Sequence, residues 1–220
     1  METITERVTM TDETEAQVKH HFSKQHLVSA AHFAARSSEI ESDPEIYESQ
    51  RQKHRAYVTG AVVFSVAFLE ASINELYLQA IDKSRKALQG LTDQQLATLA
   101  EKRAKVDRKS LFVKYQTALE ACGCDRFDST ADLFQGTAAL VEIRNALIHY
   151  RPEFDDELKV HKDLKDNTKG RFELNAHASP GTLWFPHQCL GAGCANWAVS
   201  QARKFMEEFT RILKIPKRFR

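Results

Sequence analysis

Cysteine is scarce in this chain, with Cys122, Cys124, Cys189 and Cys194 the only four among 220 residues. The start of the sequence also lacks the apolar h-region of a secretory signal. Together these absences predict a reduced, cytoplasmic protein and argue against a disulfide framework. A surplus of one charge is missing too: 31 lysines and arginines face 30 aspartates and glutamates, for a net charge of +1. That balance excludes nucleic-acid binding by bulk basicity and confines any such contact to a local patch. A long uninterrupted apolar run is likewise absent. The most apolar stretch, Ala61 to Ile81, is broken by Glu70, Asn74 and Glu75. A carboxylate at the centre of a span is expensive in lipid, so the stretch reads as a buried core helix and no membrane partner is expected. Neither Cys122-x-Cys124 nor His187-x-Cys189 followed by Cys194 has the two-residue knuckle spacing of a zinc site, so no metal and no cofactor is expected.

Helical patterning is what the chain does contain, and an apolar fraction of 42% is enough for one continuous core. A polar-to-amphipathic segment from about Val18 to Ile40 closes an N-terminal extension, residues 1–43. Asp43 is a natural N-cap with Pro44 at the first helical position, opening a long helix expected to reach Leu88, with an adjustment near Gly60 and a stop at Gly90. Thr92 caps a segment that runs to Gly123, with Leu96, Leu99, Phe112, Tyr115 and Leu119 at helical spacing. A further helix spans Ser129 to Tyr150, ended by Pro152, which biases the residue before it away from helix. Residues 153–186 form a polar insertion, read as a short helix around Asp156 to Leu164 and a small hairpin around Arg171 to Leu174 and Thr182 to Phe185. A last helix, Gly193 to Ile215, leads into a basic tail, residues 214–220. The fold class expected is all-α, an antiparallel bundle of four or five long helices with the insertion before the last one; residues 44–220 form that domain.

The most informative residues are VEIRNALIHY, Val141 to Tyr150. Helical spacing stacks Glu142, Asn145 and His149 along one polar edge, beside an apolar stripe of Leu140, Ile143, Leu147 and Tyr150. Arg144 precedes His149 by five positions and points partly round the helix from it. Cleavage of RNA by internal attack needs a base for the ribose 2′-hydroxyl, an acid for the leaving 5′-oxygen and a cation for the charge on the phosphorane. Histidine serves either proton role, and arginine brings a permanent planar cation. Asn145 orients the histidine or donates to the phosphate. With one such set of groups per chain, a single subunit offers one proton-transfer group where two are useful, and a two-fold pairing of chains would supply both. In the long helix, Glu70 either lies solvated at the edge of the apolar stripe or, by the spacing of Val63, Val66, Glu70, Ile73 and Tyr77, belongs to the stripe expected to face the core. In the second case it needs a cationic partner, for which Arg144 is the natural choice, with Asn74 one turn away.

EIRNALIHY resembles the R-x(4–6)-H signature of HEPN domains, including the asparagine after the arginine, and FLEASINELYL resembles their first core helix. The resemblance spans Ala56 to Leu213. It implies a helical bundle, usually dimeric. Its catalytically equipped members are metal-independent endoribonucleases of toxin–antitoxin, abortive-infection, CRISPR and RNA-processing systems. Carried over residue by residue, Arg144 and His149 are catalytic and Asn145 auxiliary, with Glu70, Asn74 and Glu142 in support. RNA and a second copy of the chain are the implied partners, with an antitoxin or regulatory protein as a further one. The position two after the histidine, a tyrosine in HEPN toxins paired with nucleotidyltransferase antitoxins, is Arg151 here, so that partnership is not carried over.

Arg171 and His177 satisfy the same bare spacing without helical context and are read as a decoy. Lys102, Arg103, Lys105, Arg108 and Lys109 form a basic run, and Lys214, Lys217, Arg218 and Arg220, with Arg151, are weaker candidates for RNA contact. The glycines of QCLGAGCANW, Gln188 to Trp197, are read as close packing at a helix start in preference to an anion cradle. The alternative function is a helical dimer that binds RNA or protein and cuts nothing.

Overall fold

Asp43 accepts hydrogen bonds at Oδ1 from the backbone N–H groups of Glu45 and Ile46, and Pro44 sits at the first helical position. This cap separates the first two helices of an all-α bundle. The computed structural model describes residues 8–9, 17–18, 21–82, 87–150 and 161–216. Among them, α1 is Ser23–Glu41 and α2 is Pro44–Ile81. Then come α3, Asp93–Val106; α4, Leu111–Ala121; α5, Asp132–Ile148; α6, Lys162–Thr168; and α7, Ala192–Leu213. A single π-helical turn, Trp184–Gln188, precedes α7. Among the described residues the one strand pairing is a two-residue antiparallel bridge, Val8–Thr9 with Gln17–Val18.

The long α2 is the spine, packed against α1, α3, α4, α5 and α7. By length and composition it is the one described helix able to cross a membrane, yet half of its most apolar window is buried inside the fold. Phe68, Leu69, Ile73 and Leu76 of α2 meet Tyr115 and Leu119 of α4, Leu140 and Ile143 of α5, and Phe205 and Phe209 of α7 in one core. Tyr115 stands edge-on to Phe205 and Phe209 at 5.0 and 4.6 Å, and its hydroxyl donates to the Leu69 carbonyl. That bond lets a phenol sit fully buried without an unmet donor. The α1 segment is part of this body: Leu27, Ala30 and Ala34 belong to the core. The Glu75 carboxylate of α2 accepts from the Phe22 and Ser23 N–H groups at the N-terminus of α1.

Several boundaries differ from the sequence reading. The long helix ends at Ile81 and not at Leu88, and Gly90 (φ +113°) serves the following turn, where a β-carbon would collide with the Lys214 carbonyl oxygen. The departure from helical geometry in α2 is at Gln50, not near Gly60, which stays helical under the Phe33 ring. Thr92 and Gln95 do form a capping box, but the segment they open breaks at Asp107 and restarts after Ser110. There are therefore more helices, and shorter ones, than the four or five long ones expected. The described short helix of the insertion is Lys162–Thr168, residues 156–160 of the expected one lie outside the described residues, and the hairpin around Arg171 to Leu174 is absent, replaced by turns and the π-helical turn. The last helix ends at Leu213, ahead of Pro216, because Lys214 adopts the left-handed conformation that caps it.

Candidate functional site

Arg144 leaves α5 toward α2, and its Nη2 donates to Glu70 Oε1 at 2.7 Å. The pairing expected from the sequence is present, but Glu70 is not core-facing: its side chain is 48% exposed, while that of Arg144 is 19% exposed. Glu70 sits at the edge of the apolar stripe, where it reaches both water and the arginine. The Nε of Arg144 is buried and has no hydrogen-bond partner among the described residues. One end of the guanidinium is thus held by a charge-assisted bond while another donor goes unmet.

Around this pair opens a cleft of about 360 Å³. Asn145 lines it from α5, and Arg108, Lys109 and Ser110 line it from the turn between α3 and α4. Lys114, one turn into α4, also lines it and donates to Asn74 Oδ1 at 2.9 Å. Four basic side chains, Arg108, Lys109, Lys114 and Arg144, therefore share the cleft with two acidic ones, Asp107 and Glu70. The first residues of α4 line it too, and the partial positive charge of a helix N-terminus adds to the same sign. A local cationic concavity thus exists in a chain of nearly balanced charge.

Sequence reasoning did not place Arg108, Lys109, Ser110 and Lys114 here. The signal available was the run VDRKS, which combines charge with an N-cap residue and marks a turn. The partner it faces is set by packing.

His149 is the C-cap of α5, its N–H bonded to the Asn145 carbonyl at 2.8 Å, and it is exposed. Its side chain is not among the described groups lining the cleft. Five residues on a helix amount to about 7.5 Å along the axis and about 140° around it, so the arginine and the histidine of one chain face different directions. Tyr150, expected on the apolar stripe, lies beyond the helix, half-exposed, with its ring 6.3 Å from that of Phe185. Glu142 is exposed and accepts from Asn167 Nδ2 of α6 at 3.0 Å, which ties the insertion to α5 and keeps Glu142 out of the cleft. Asn74 is not among the residues lining the cleft and meets it only by accepting from Lys114. Arg151, Lys217, Arg218 and Arg220 lie outside the described residues, and Lys214 is the exposed cap of α7.

The decoy pair has structural employment. Arg171 donates to Asp132 and to the Asn167 carbonyl, and His177 Nε2 meets the Glu41 carbonyl at 2.8 Å. The four cysteines are free thiols. Burial pushes Cys122 and Cys194 up to about 12, with Cys124 adding to the effect at Cys122. No group of three histidine, cysteine or acidic side chains among the described residues is placed to hold a metal ion. Compared with known proteins, the chain matches no family model, no curated protein and no solved structure.

Proposed function

We propose that this protein is a metal-independent endoribonuclease that cuts by attack of the ribose 2′-hydroxyl, leaving 2′,3′-cyclic phosphate and 5′-hydroxyl ends. The observation that carries the reading is Arg144, clamped by Glu70 at 2.7 Å on the wall of a cationic cleft, five residues before a histidine exposed at the end of the same helix. In this mechanism the scissile phosphate lies against Arg144, with Arg108, Lys109 and Lys114 offsetting the charge of the strand. Asn145 donates to a non-bridging oxygen. His149 removes the 2′-hydroxyl proton, or protonates the 5′-oxygen as it leaves.

Because Arg144 and His149 of one chain diverge, the working site pairs Arg144 of one copy with His149 of a second copy about a two-fold axis. Each of the two shared sites then holds one Arg144 and one His149. A toxin, phage-defence or stress-response setting, in the cytoplasm and under the control of an antitoxin or regulatory protein, follows from the HEPN resemblance alone.

The test is incubation of the purified protein and its His149→Ala variant with end-labelled RNA in excess EDTA, followed by mapping of cuts and terminal groups. Cuts that need His149 and end in cyclic phosphate support the assignment. Cuts that persist in the variant, or that vanish with chelation, dispose of it.

A second reading, a helical module that binds and does not cut, draws on the separation of His149 from the cleft. Under it Arg144 and Glu70 serve only the fold. Arg144→Ala would then lower the melting temperature strongly with no nuclease activity to lose.

A further inference from the structure

A second cleft, of about 400 Å³, lies between the first half of α2 and the turns of residues 175–187, away from Arg144. Arg51 and Arg55 line it from α2, four residues apart and so on one face of the helix. His177 and His187 line it from the insertion. No acidic side chain is among its described lining residues.

The pairing of each arginine shows how much charge is left over. Arg51 reaches Glu48 at 2.5 Å, but both side chains are more than half exposed, a setting in which such a pair contributes little. Arg55 Nη2 donates to His187 Nδ1 at 3.0 Å. A guanidinium has only donors, so Nδ1 must accept, and the ring proton of His187 is on Nε2. The described partner of Arg55 is therefore a ring nitrogen, and its positive charge has no carboxylate among the described residues to cancel it.

The walls behind these groups are locked in place. The carboxylate of Glu41, the last residue of α1, accepts from His54 Nε2 at 2.7 Å and from the Ala192 N–H at 2.6 Å. His177 stacks on Tyr47, with ring centres 4.2 Å apart. Asn175 Nδ2 donates to the Tyr47 hydroxyl at 3.0 Å, and its backbone N–H to the Gln188 carbonyl. A cleft with two guanidiniums, neutral hydroxyls and amides around them, and a rigid back wall is preorganised for a small tetrahedral anion.

We infer that this cleft binds the phosphoryl group of a nucleotide, held by Arg51 and Arg55. Its volume falls in the range of sites that enclose a small molecule. The inference does not depend on the nuclease reading, since none of these side chains belongs to the Arg144 cleft.

The test is titration of inorganic phosphate and of AMP into the intact protein, read by calorimetry and by NMR of the His177 and His187 imidazoles. Saturable shifts of both rings are expected, with binding weakened about tenfold or more in the Arg51→Gln/Arg55→Gln double variant. Both positions are exposed, so the variant keeps its fold, and an unchanged melting curve checks this. Arg144→Gln should leave the same shifts in place. Competition then separates the sources of the phosphate, using 2′-O-methylated RNA strands that cannot be cut by 2′-hydroxyl attack. Displacement of AMP by a 5′-hydroxyl strand points to internal phosphates. Displacement only by a 5′-phosphorylated strand points to a strand end. AMP binding that neither strand displaces points to a free nucleotide. Silent imidazoles at millimolar phosphate and AMP, or shifts unaffected by the double substitution, overturn the inference.

Discussion

Arg144 gains a charge-assisted hydrogen bond at Nη2 and carries an unmet donor at Nε. The unmet donor costs roughly 1–3 kcal/mol, while a pair with a half-exposed partner contributes about 1 kcal/mol or less. The two nearly offset, so the pair is a poor stabiliser. Arg144→Ala should therefore lower stability by no more than about 1 kcal/mol, a melting shift of roughly 2–4 °C for a chain of this size, while removing cleavage. A fall of 10 °C or more would favour the binding-module reading. His149→Ala, at an exposed cap, should leave the melting curve unmoved and lower the cleavage rate about 10²- to 10⁴-fold. The Glu41 cluster gives a pH signature. Burial works to raise the Glu41 carboxyl, but hydrogen bonds from His54 and from the N–H groups of Ala192 and Ala176 outweigh it and hold the group below its ordinary value of 4.5. Its folded pKa is depressed, so its contribution to stability is present above pH 4.5 and is lost as pH falls through the lower folded value. Glu41→Gln should flatten the acid limb of the stability curve, measured by denaturant melts from pH 3 to 7. An acid limb identical in the two proteins would contradict the linkage.

The glycines ahead of α7 act at the level of the element. A β-carbon at Gly191 would sit 2.6 Å from Asn175 Cα, and one at Gly193 would collide with the Glu173 carbonyl oxygen. The start of α7 is therefore a dock for the insertion, as its reading as close packing expects, and the obstruction is backbone that cannot rotate away. Gly193→Ala should cost roughly 1–3 kcal/mol and expose residues 171–187 to limited proteolysis. Unaltered cleavage patterns would show that the insertion is held by other contacts. Local signals carried the helix starts well: Asp43 with Pro44, and Thr92 with Gln95, cap as their sequence predicts because a cap is settled within four residues. They carried the breaks less well. The run through Asp107 to Ser110 continues an apolar spacing that reads as one helix, and the fold divides it so that α4 can turn Tyr115 into the core under α7. The polar insertion had no period to read. Its order comes from contacts such as Arg171 to Asp132 and Asn167 to Glu142.

At the scale of the whole molecule, the divergence of Arg144 and His149 makes a prediction about assembly. If the working site joins two copies, inactive Arg144→Ala and His149→Ala proteins, mixed and allowed to exchange, should recover cleavage, because one of the two shared sites in each mixed dimer is intact. Sedimentation of the wild-type protein should give a species of twice the chain mass. An active monomer, or mixed dimers that stay silent, would sink the composite site and return the task to a single chain. The half-exposed Ile148 and Tyr150, next to His149, lie at the end of α5 that such a pairing would bring near the second copy.

The amino-acid sequence by itself determined the helical class, the caps at Asp43 and Thr92, and the facing of Glu70 with Arg144. Periodicity and capping are short-range, and a carboxylate beside an apolar stripe has few cations able to answer it. Tertiary structure alone decided that Glu70 stays half in water, and that the α3–α4 turn brings Arg108 and Lys109 to Arg144. It alone joined Arg55 to His187, 132 positions away in the chain. The physical reason is common to these cases. Contacts between distant segments depend on how helices pack and where they break, and those outcomes are set by the fit of the whole core, not by the local run of residues.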